Sequence, residues 1–183
     1  MSEDMIVRHC SPTLAGLKTG NIFTCRFLDV TEMRDTLRRL NRKLGKKGLR
    51  ILPLRFKKNQ ALVYVYRPSR LLHDLQDDIA CRLLRERGYG MESPERCVIQ
   101  LIKRLGESDE FPHEIGLFLG YPPEDVCGFI ENRAEACKCV GYWKVYGDAE
   151  AAQELFAKYK KCTDVYCAQH AHGRSLWQLT VAG

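Results

Sequence analysis

Side chains able to do chemistry are concentrated between residues 9 and 21. They are an imidazole, a thiol, three hydroxyls and an ammonium group, on His9, Cys10, Ser11, Thr13, Thr19 and Lys18. Ser11 is a favoured N-cap residue, and the proline that follows it fits the first position of a helix. The pattern predicts that a short helix begins at this point. Its free N–H groups and positive dipole end would then lie beside Cys10.

A helix start at this point would support two kinds of chemistry. Its N–H groups, the hydroxyls of Ser11 and Thr13 and the Lys18 ammonium would bind an anion such as phosphate or carboxylate. Alternatively, the dipole would lower the pKa of Cys10 and give a reactive thiolate, with His9 as its base. A third interpretation is a well-capped helix in which Cys10 is a buried, inert thiol.

A second group of candidate residues lies in the middle of the chain. His113 and Glu114 stand at a predicted helix start, where they would act as base and orienting acid, or simply as a packed imidazole and a capping acid. The second histidine of a His-Glu-x-x-His zinc helix is missing, since position 117 is leucine. Tyr121 and Trp143 are candidate walls of a ligand pocket, although such aromatic residues often belong to a core.

Positive charge is concentrated in one segment. Residues 34–58 hold eleven Lys or Arg and one acid, Asp35, a sum of +10; since the whole chain carries +6, the remainder carries −4. The predicted helix in this segment presents five cations: Arg34, Arg38, Arg39, Arg42 and Lys43. That face suits an acidic protein or nucleic-acid phosphates, or it is only a solvated face. No aromatic residues alternate with the cations, which makes nucleic acid the weaker choice.

Nine cysteines are present, an odd number, and the acidic residues after Met1 do not resemble a secretion signal. A disulfide framework is therefore not expected, and we expect a cytoplasmic protein. Cysteine and histidine recur late in the chain, at positions 137, 139, 162, 167, 170 and 172. Their spacing is not that of a zinc site, so no metal site is predicted. No phosphate-loop or dinucleotide motif indicates a cofactor, and no apolar run approaches the ~20 residues of a membrane span.

Hydrophobic periodicity predicts an α+β fold in one domain, residues 1–183. Strands are expected at about 22–28, 49–56, 61–66 and 142–146, and a helix at about 32–44. Pro53 places the second strand at a sheet edge, whereas the third strand is apolar on both sides and therefore central. This order fits a split β-α-β, ferredoxin-like antiparallel sheet, with an all-helical insertion at about 88–140 before the last core strand.

Helices are also expected at about 69–87, 93–106, 112–119, 123–137 and 148–161. Ser175 to Val181 would form a further edge strand.

Three stretches together are familiar: residues 9–18 (HCSPTLAGLK), 113–122 (HEIGLFLGYP) and 141–146 (GYWKVY). On these residues the chain resembles an uncharacterised family of anaerobic Gram-positive bacteria, domain-of-unknown-function family 3793. The resemblance spans almost the whole chain and implies a bacterial, cytoplasmic setting. It implies no activity, and it assigns no catalytic residue.

The sequence therefore leaves three functions open. The first is a small module that binds an anionic small molecule at the helix start after His9 and Cys10. The second is a thiol-dependent enzyme that uses Cys10 with His9 or His113. The third is a non-enzymatic interaction protein that docks an acidic partner, or less favourably nucleic acid, through the basic helix.

Overall fold

A three-stranded antiparallel sheet organises the first of two units that the computed structural model contains. The structure describes residues 1–107, 110–133 and 135–183. Unit 1 comprises residues 1–69 and 159–183, and unit 2 comprises residues 70–158. The two units are described separately below. In the part of the chain that the structure describes, no helix is both long and apolar enough to cross a membrane.

The sheet of unit 1 has the strand order β1-β3-β2. Its strands are β1 (Gly20–Arg26), β2 (Arg50–Lys57) and β3 (Gln60–Tyr66). The predictions that the second strand is an edge strand and the third is central are therefore confirmed. The register of β2 shifts between Pro53 and Arg55. This irregularity is the usual way in which a strand accommodates a residue without an N–H.

Two helices share one buried core with the sheet: α1 (Glu3–Leu14) and α2 (Val30–Leu44). Alternate residues of the strands face this core, since side chains of a strand point to opposite faces. The apolar stripe predicted for α2 is buried as expected: Met33, Leu37, Leu40 and Leu44. Asp29 caps the helix, because its Oδ1 accepts a hydrogen bond from the N–H of Glu32 at 2.7 Å.

The chain after residue 159 completes unit 1. Helix α8 (Ala149–Ala171) ends in this unit, and α9 (Leu176–Leu179) follows. The predicted edge strand at 175–181 is wrong. Ser175 and Gln178 form a capping box, in which each side chain bonds to the other residue's backbone N–H and so starts α9.

Helices make up most of unit 2. They are α3 (Pro68–Asp74), α4 (Asp78–Glu86), α5 (Pro94–Glu107), α6 (Ile115–Phe118) and α7 (Pro123–Asn132). The single helix expected at 69–87 is broken, because the Asp77 carboxylate accepts bonds from the N–H groups of Ile79 and Ala80 and starts α4. The helix expected to reach about residue 137 ends at Asn132; residue 134 lies outside the described residues.

The last predicted strand does not extend the main sheet. Strands β4 (Cys139–Val140) and β5 (Lys144–Val145) pair with each other in a separate two-stranded sheet. The α+β class is confirmed, but the four-stranded ferredoxin-like sheet is not, because the described sheet of unit 1 has three strands.

Helix α8 begins after Asp148, as predicted, and runs about ten residues past the expected end. Neither glycine nor proline interrupts it before Gly173, which has a φ of +90°.

Candidate functional site

The predicted helix start at Ser11 is the end of a helix. Helix α1 begins at Glu3, where the Ser2 hydroxyl accepts a hydrogen bond from the N–H of Met5 at 3.3 Å. Pro12 lies in its last turn, and the Ser11 hydroxyl donates to the Val7 carbonyl at 2.5 Å. The sequence did contain a signal for the true start of α1: Ser2 is a favoured N-cap residue, and acidic residues follow it in the first turn.

The carbonyl end of α1 is bound by a buried arginine. Arg67 is 2% exposed and donates from Nε to the Thr13 carbonyl at 2.8 Å. Its Nη2 donates to the carbonyls of Leu14 at 2.7 Å and Val181 at 2.8 Å. This is the negative end of the helix dipole, stabilised by a cation. Residues 9–14 therefore provide no helix N-terminus at which an anion could bind.

Cys10 and Lys18 are both buried. Cys10 has no exposed surface, and this burial raises the pKa of its thiol well above the usual range. Lys18 is 2% exposed and donates from Nζ to the Gly20 carbonyl at 2.8 Å; burial lowers the pKa of this lysine to about 7. Each group influences the charge of the other. A buried, protonated thiol is not an activated nucleophile.

The other candidates of this stretch serve packing. Thr13 is fully buried, and its hydroxyl donates to Oδ1 of Asn21 at 2.7 Å. The exposed His9 ring lies parallel to the Phe23 ring, with 5.2 Å between centroids. The structure therefore brings Cys10 and Lys18 together inside unit 1, away from solvent.

Glu114 is a fully buried carboxylate of unit 2. Its Oε1 accepts a hydrogen bond from the Tyr89 hydroxyl at 3.1 Å and lies 3.1 Å from Arg104 Nε. Its Oε2 lies 3.8 Å from Nη1 of Arg87 and makes no hydrogen bond. Burial and this carboxylate raise the pKa of Tyr89 well above the usual range. Through these contacts the Glu114 carboxylate connects the end of α4 with α5 and the start of α6.

His113 is exposed, and its ring meets the Phe129 ring edge to face at 5.0 Å. Glu114 is occupied by Tyr89 and the arginines, so the predicted base-and-orienter pair has no hydrogen bond in this structure. Sequence reasoning missed Tyr89, Arg87 and Arg104, because partners of a buried carboxylate so far apart along the chain leave no local pattern.

The rings of Tyr121 and Trp143, the two candidate pocket walls, are in contact. Their rings stack at 4.8 Å, and Trp143 Nε1 donates to Oδ2 of the buried Asp125 at 2.7 Å. Tyr121 lines a groove of about 470 Å³ with Leu117 and the prolines that follow Tyr121. Trp143 is only 7% exposed. Its ring packs against that of Tyr121 and does not line the groove.

The late cysteines and histidines are dispersed. All nine cysteines are free thiols. Positions 162, 167 and 170 lie in α8, whereas Cys139 lies in β4 and Cys137 two residues before that strand. Among the described residues, no group of three or more His, Cys, Asp or Glu side chains could hold a metal ion.

The basic face of α2 is open to solvent. All five predicted partner-binding side chains are exposed: Arg34, Arg38, Arg39, Arg42 and Lys43. Two of them have an acid nearby, Arg38 with Asp35 at 2.9 Å and Lys43 with Glu3 at 3.5 Å. Both ion pairs are well exposed and therefore weak. Within the described part of the chain, Arg39 and Arg42 make no ion pair.

A groove with both polar and apolar lining residues adjoins the start of this helix. It has a volume of about 530 Å³ and lies between the β1–α2 loop and the β2–β3 turn. Phe27, Leu28 and Met33 line it together with Arg26 and Lys58.

Comparison with known proteins gives one match. The model of the family DUF3793, described as a protein of unknown function, matches residues 6–180. No curated protein and no solved structure matches the chain.

Proposed function

Since the chain belongs to the DUF3793 family, whose function is not known, we propose a function from the geometry alone: it is a non-enzymatic interaction protein that docks an acidic protein through helix α2. The proposed site of action is the bacterial cytoplasm. The contact residues are Arg34, Arg38, Arg39, Arg42 and Lys43.

The observation that carries this proposal is the exposed, poorly neutralised charge of one segment. Residues 34–58 sum to +10 in a chain of +6. The helix buries its apolar stripe against the sheet and turns every one of the five cations to solvent. A positive patch of this kind steers an oppositely charged partner and orients it on arrival.

A protein partner fits this surface better than nucleic acid. Phe56, the aromatic ring beside the helix, is covered on one side by the Arg34 guanidinium, 5.8 Å from its centroid. Phe27 meets Phe56 edge to face at 5.5 Å. These rings are packed among protein groups, whereas a single-strand platform presents free ring faces to bases. The neighbouring groove combines the apolar residues Phe27, Leu28 and Met33 with polar and charged ones, a mixture that is usual in protein interfaces.

The buried positions of Cys10 and Lys18 favour this proposal over the thiol-dependent enzyme and the anion-binding module. An enzyme thiol needs a partly exposed, electropositive environment. Cys10 has no exposed surface.

Binding of a fluorescent polyglutamate peptide, followed by anisotropy over a salt titration, tests the proposal. We expect binding that weakens steeply with salt, because exposed charges are screened. Replacing Arg39 and Arg42 by Glu should weaken it at least about tenfold. The matched control replaces the exposed Lys103 and Lys158 of unit 2 by Glu, which changes the net charge equally and should have little effect.

Two results would overturn the proposal. One is equal loss of binding in the control, which would mean that only net charge matters. The other is tighter binding of a single-stranded DNA oligonucleotide of the same charge at the same salt, which would assign the face to nucleic acid.

A further inference from the structure

The groove beside α2 exposes apolar side chains that the fold of unit 1 does not cover. Leu28, in the loop between β1 and α2, is 100% exposed, and Val30 is 38% exposed. Phe27 is half-buried, and Met33 forms part of the groove wall. Leu28 in the groove and the nearby Val30 form exposed apolar surface rimmed by polar residues, which is typical of a surface that another molecule covers.

The charges that line this groove are balanced. Arg26 and Lys58 stand against Asp29 and Glu32. Asp29 is also engaged as the cap of α2, accepting from the Glu32 N–H at 2.7 Å. The groove therefore has apolar side chains among balanced charges, and it lies beside a strongly positive helix face.

The groove and the basic face are continuous. Thr36 of α2 lines the groove, and Nη2 of Arg39 lies 3.5 Å from its hydroxyl oxygen. The Arg34 guanidinium covers Phe56, which contacts the groove residue Phe27. From Met33 to Arg42 the helix rises about 14 Å, at about 1.5 Å per residue. An extended peptide crosses this distance in about four residues.

We propose that this groove binds an apolar side chain of the acidic partner, with Leu28 as the principal contact. The inference rests on the proposed function. The partner then carries an aromatic or branched aliphatic residue about four residues from a group of carboxylates. The apolar side chain enters the groove, and the carboxylates pair with the cations around Arg42. Apolar anchors surrounded by charged residues are the usual energetic centre of a protein interface.

Two peptides test the inference. One is the polyglutamate peptide, and the other is the same peptide with a single Phe near one end. The wild-type protein should bind the Phe peptide about tenfold more tightly, as expected for burying one apolar side chain. Leu28→Ser should remove that gain and leave the affinity for polyglutamate unchanged. The control is Leu72→Ser, a leucine of unit 2 that is 47% exposed, and it should keep the gain.

The outcomes separate the two proposals. If both peptides bind equally, in a salt-dependent manner, the anchor is overturned while the docking function stands. If the gain from Phe survives Leu28→Ser, the groove is not its site and the inference fails. If neither peptide binds the wild-type protein, the docking function itself is overturned.

Discussion

The side-chain amide of Asn41 pairs with the backbone of Ile51 as a neighbouring strand would. Its Nδ2 donates to the Ile51 carbonyl at 2.6 Å, and its Oδ1 accepts from the Ile51 N–H at 2.8 Å. Strand β2 is an edge strand, so these backbone groups point away from the sheet. Helix α2 thus covers part of an edge that would otherwise be open to pairing with another chain.

We expect Asn41→Ala to lower the free energy of unfolding by about 2 kcal/mol, because both backbone groups of the buried Ile51 lose their partner. Urea denaturation measures this. Asn132→Ala is the control: Asn132 is exposed and makes one side-chain bond, to the Gly128 carbonyl. Its loss should stay below about 0.5 kcal/mol. Equal stability of the two variants would show that the amide pair contributes little.

Local patterns predicted the elements around this pair. The stripe Met33, Leu37, Leu40 and Leu44 defined α2, and two-sided apolar alternation placed β3 in the centre. The role of Asn41 was missed because its partner is ten residues away and no periodicity links the two. Ser11 was misread because a serine followed by a proline looks the same in the last turn of a helix as in the first.

The candidate site residues also divide into those that local patterns predicted and those that they did not. The exposed cations of α2 could be predicted, since a helical face follows from spacing alone. The burial of Lys18 could not, because no pattern in the sequence indicates that its ammonium group lies inside the unit beside Cys10 and the Gly20 carbonyl. The prediction that the whole chain is one domain stays a prediction.

Cys10 should be inert to alkylation in the folded protein. It has no exposed surface, and its raised pKa keeps the thiol protonated at neutral pH. Iodoacetamide labelling read by peptide mass spectrometry should modify Cys139, which is partly exposed, well before Cys10. In denaturant the two should react at similar rates. Rapid labelling of Cys10 in the folded protein would restore the thiol-dependent enzyme as a candidate.

Glu114→Gln should destabilise the protein by about 2 kcal/mol. The carboxylate is buried against Arg87 and Arg104, and removing one member of a buried ion pair leaves the other charges uncompensated. Those arginines are about a third exposed, which limits the loss.

Glu92→Gln is the matched control for Glu114→Gln. It removes an exposed pair with Arg96 and should cost less than about 0.5 kcal/mol. Similar thermal midpoints for the two variants would show that the buried pairs do not contribute to stability.

Lys18 should make the protein more stable as the pH rises from 7 to about 8.5. Burial lowers the pKa of Lys18 to about 7 in the folded protein, against about 10.4 in the unfolded chain. In this window the unfolded chain holds a proton that the folded protein has released. The contribution of Lys18 to the free energy of unfolding therefore rises with pH, by up to about 1.4 kcal/mol per unit. Below pH 7 both states are protonated, and this contribution no longer changes.

As the pH approaches 8.5 Cys10 acts in the opposite direction, because the unfolded thiol begins to lose its proton while the buried thiol keeps it. Five other thiols whose pKa is raised by burial act in the same direction as Cys10, so the lysine contribution is the difference in slope between the wild-type protein and a variant without Lys18. Lys18→Met should lower the slope between pH 7 and 8.5, whereas Lys158→Met, at an exposed position, should keep it. Urea denaturation at half-unit steps of pH measures both. An unchanged slope in Lys18→Met would mean that Lys18 stays protonated in the folded protein, held by its bond to the Gly20 carbonyl.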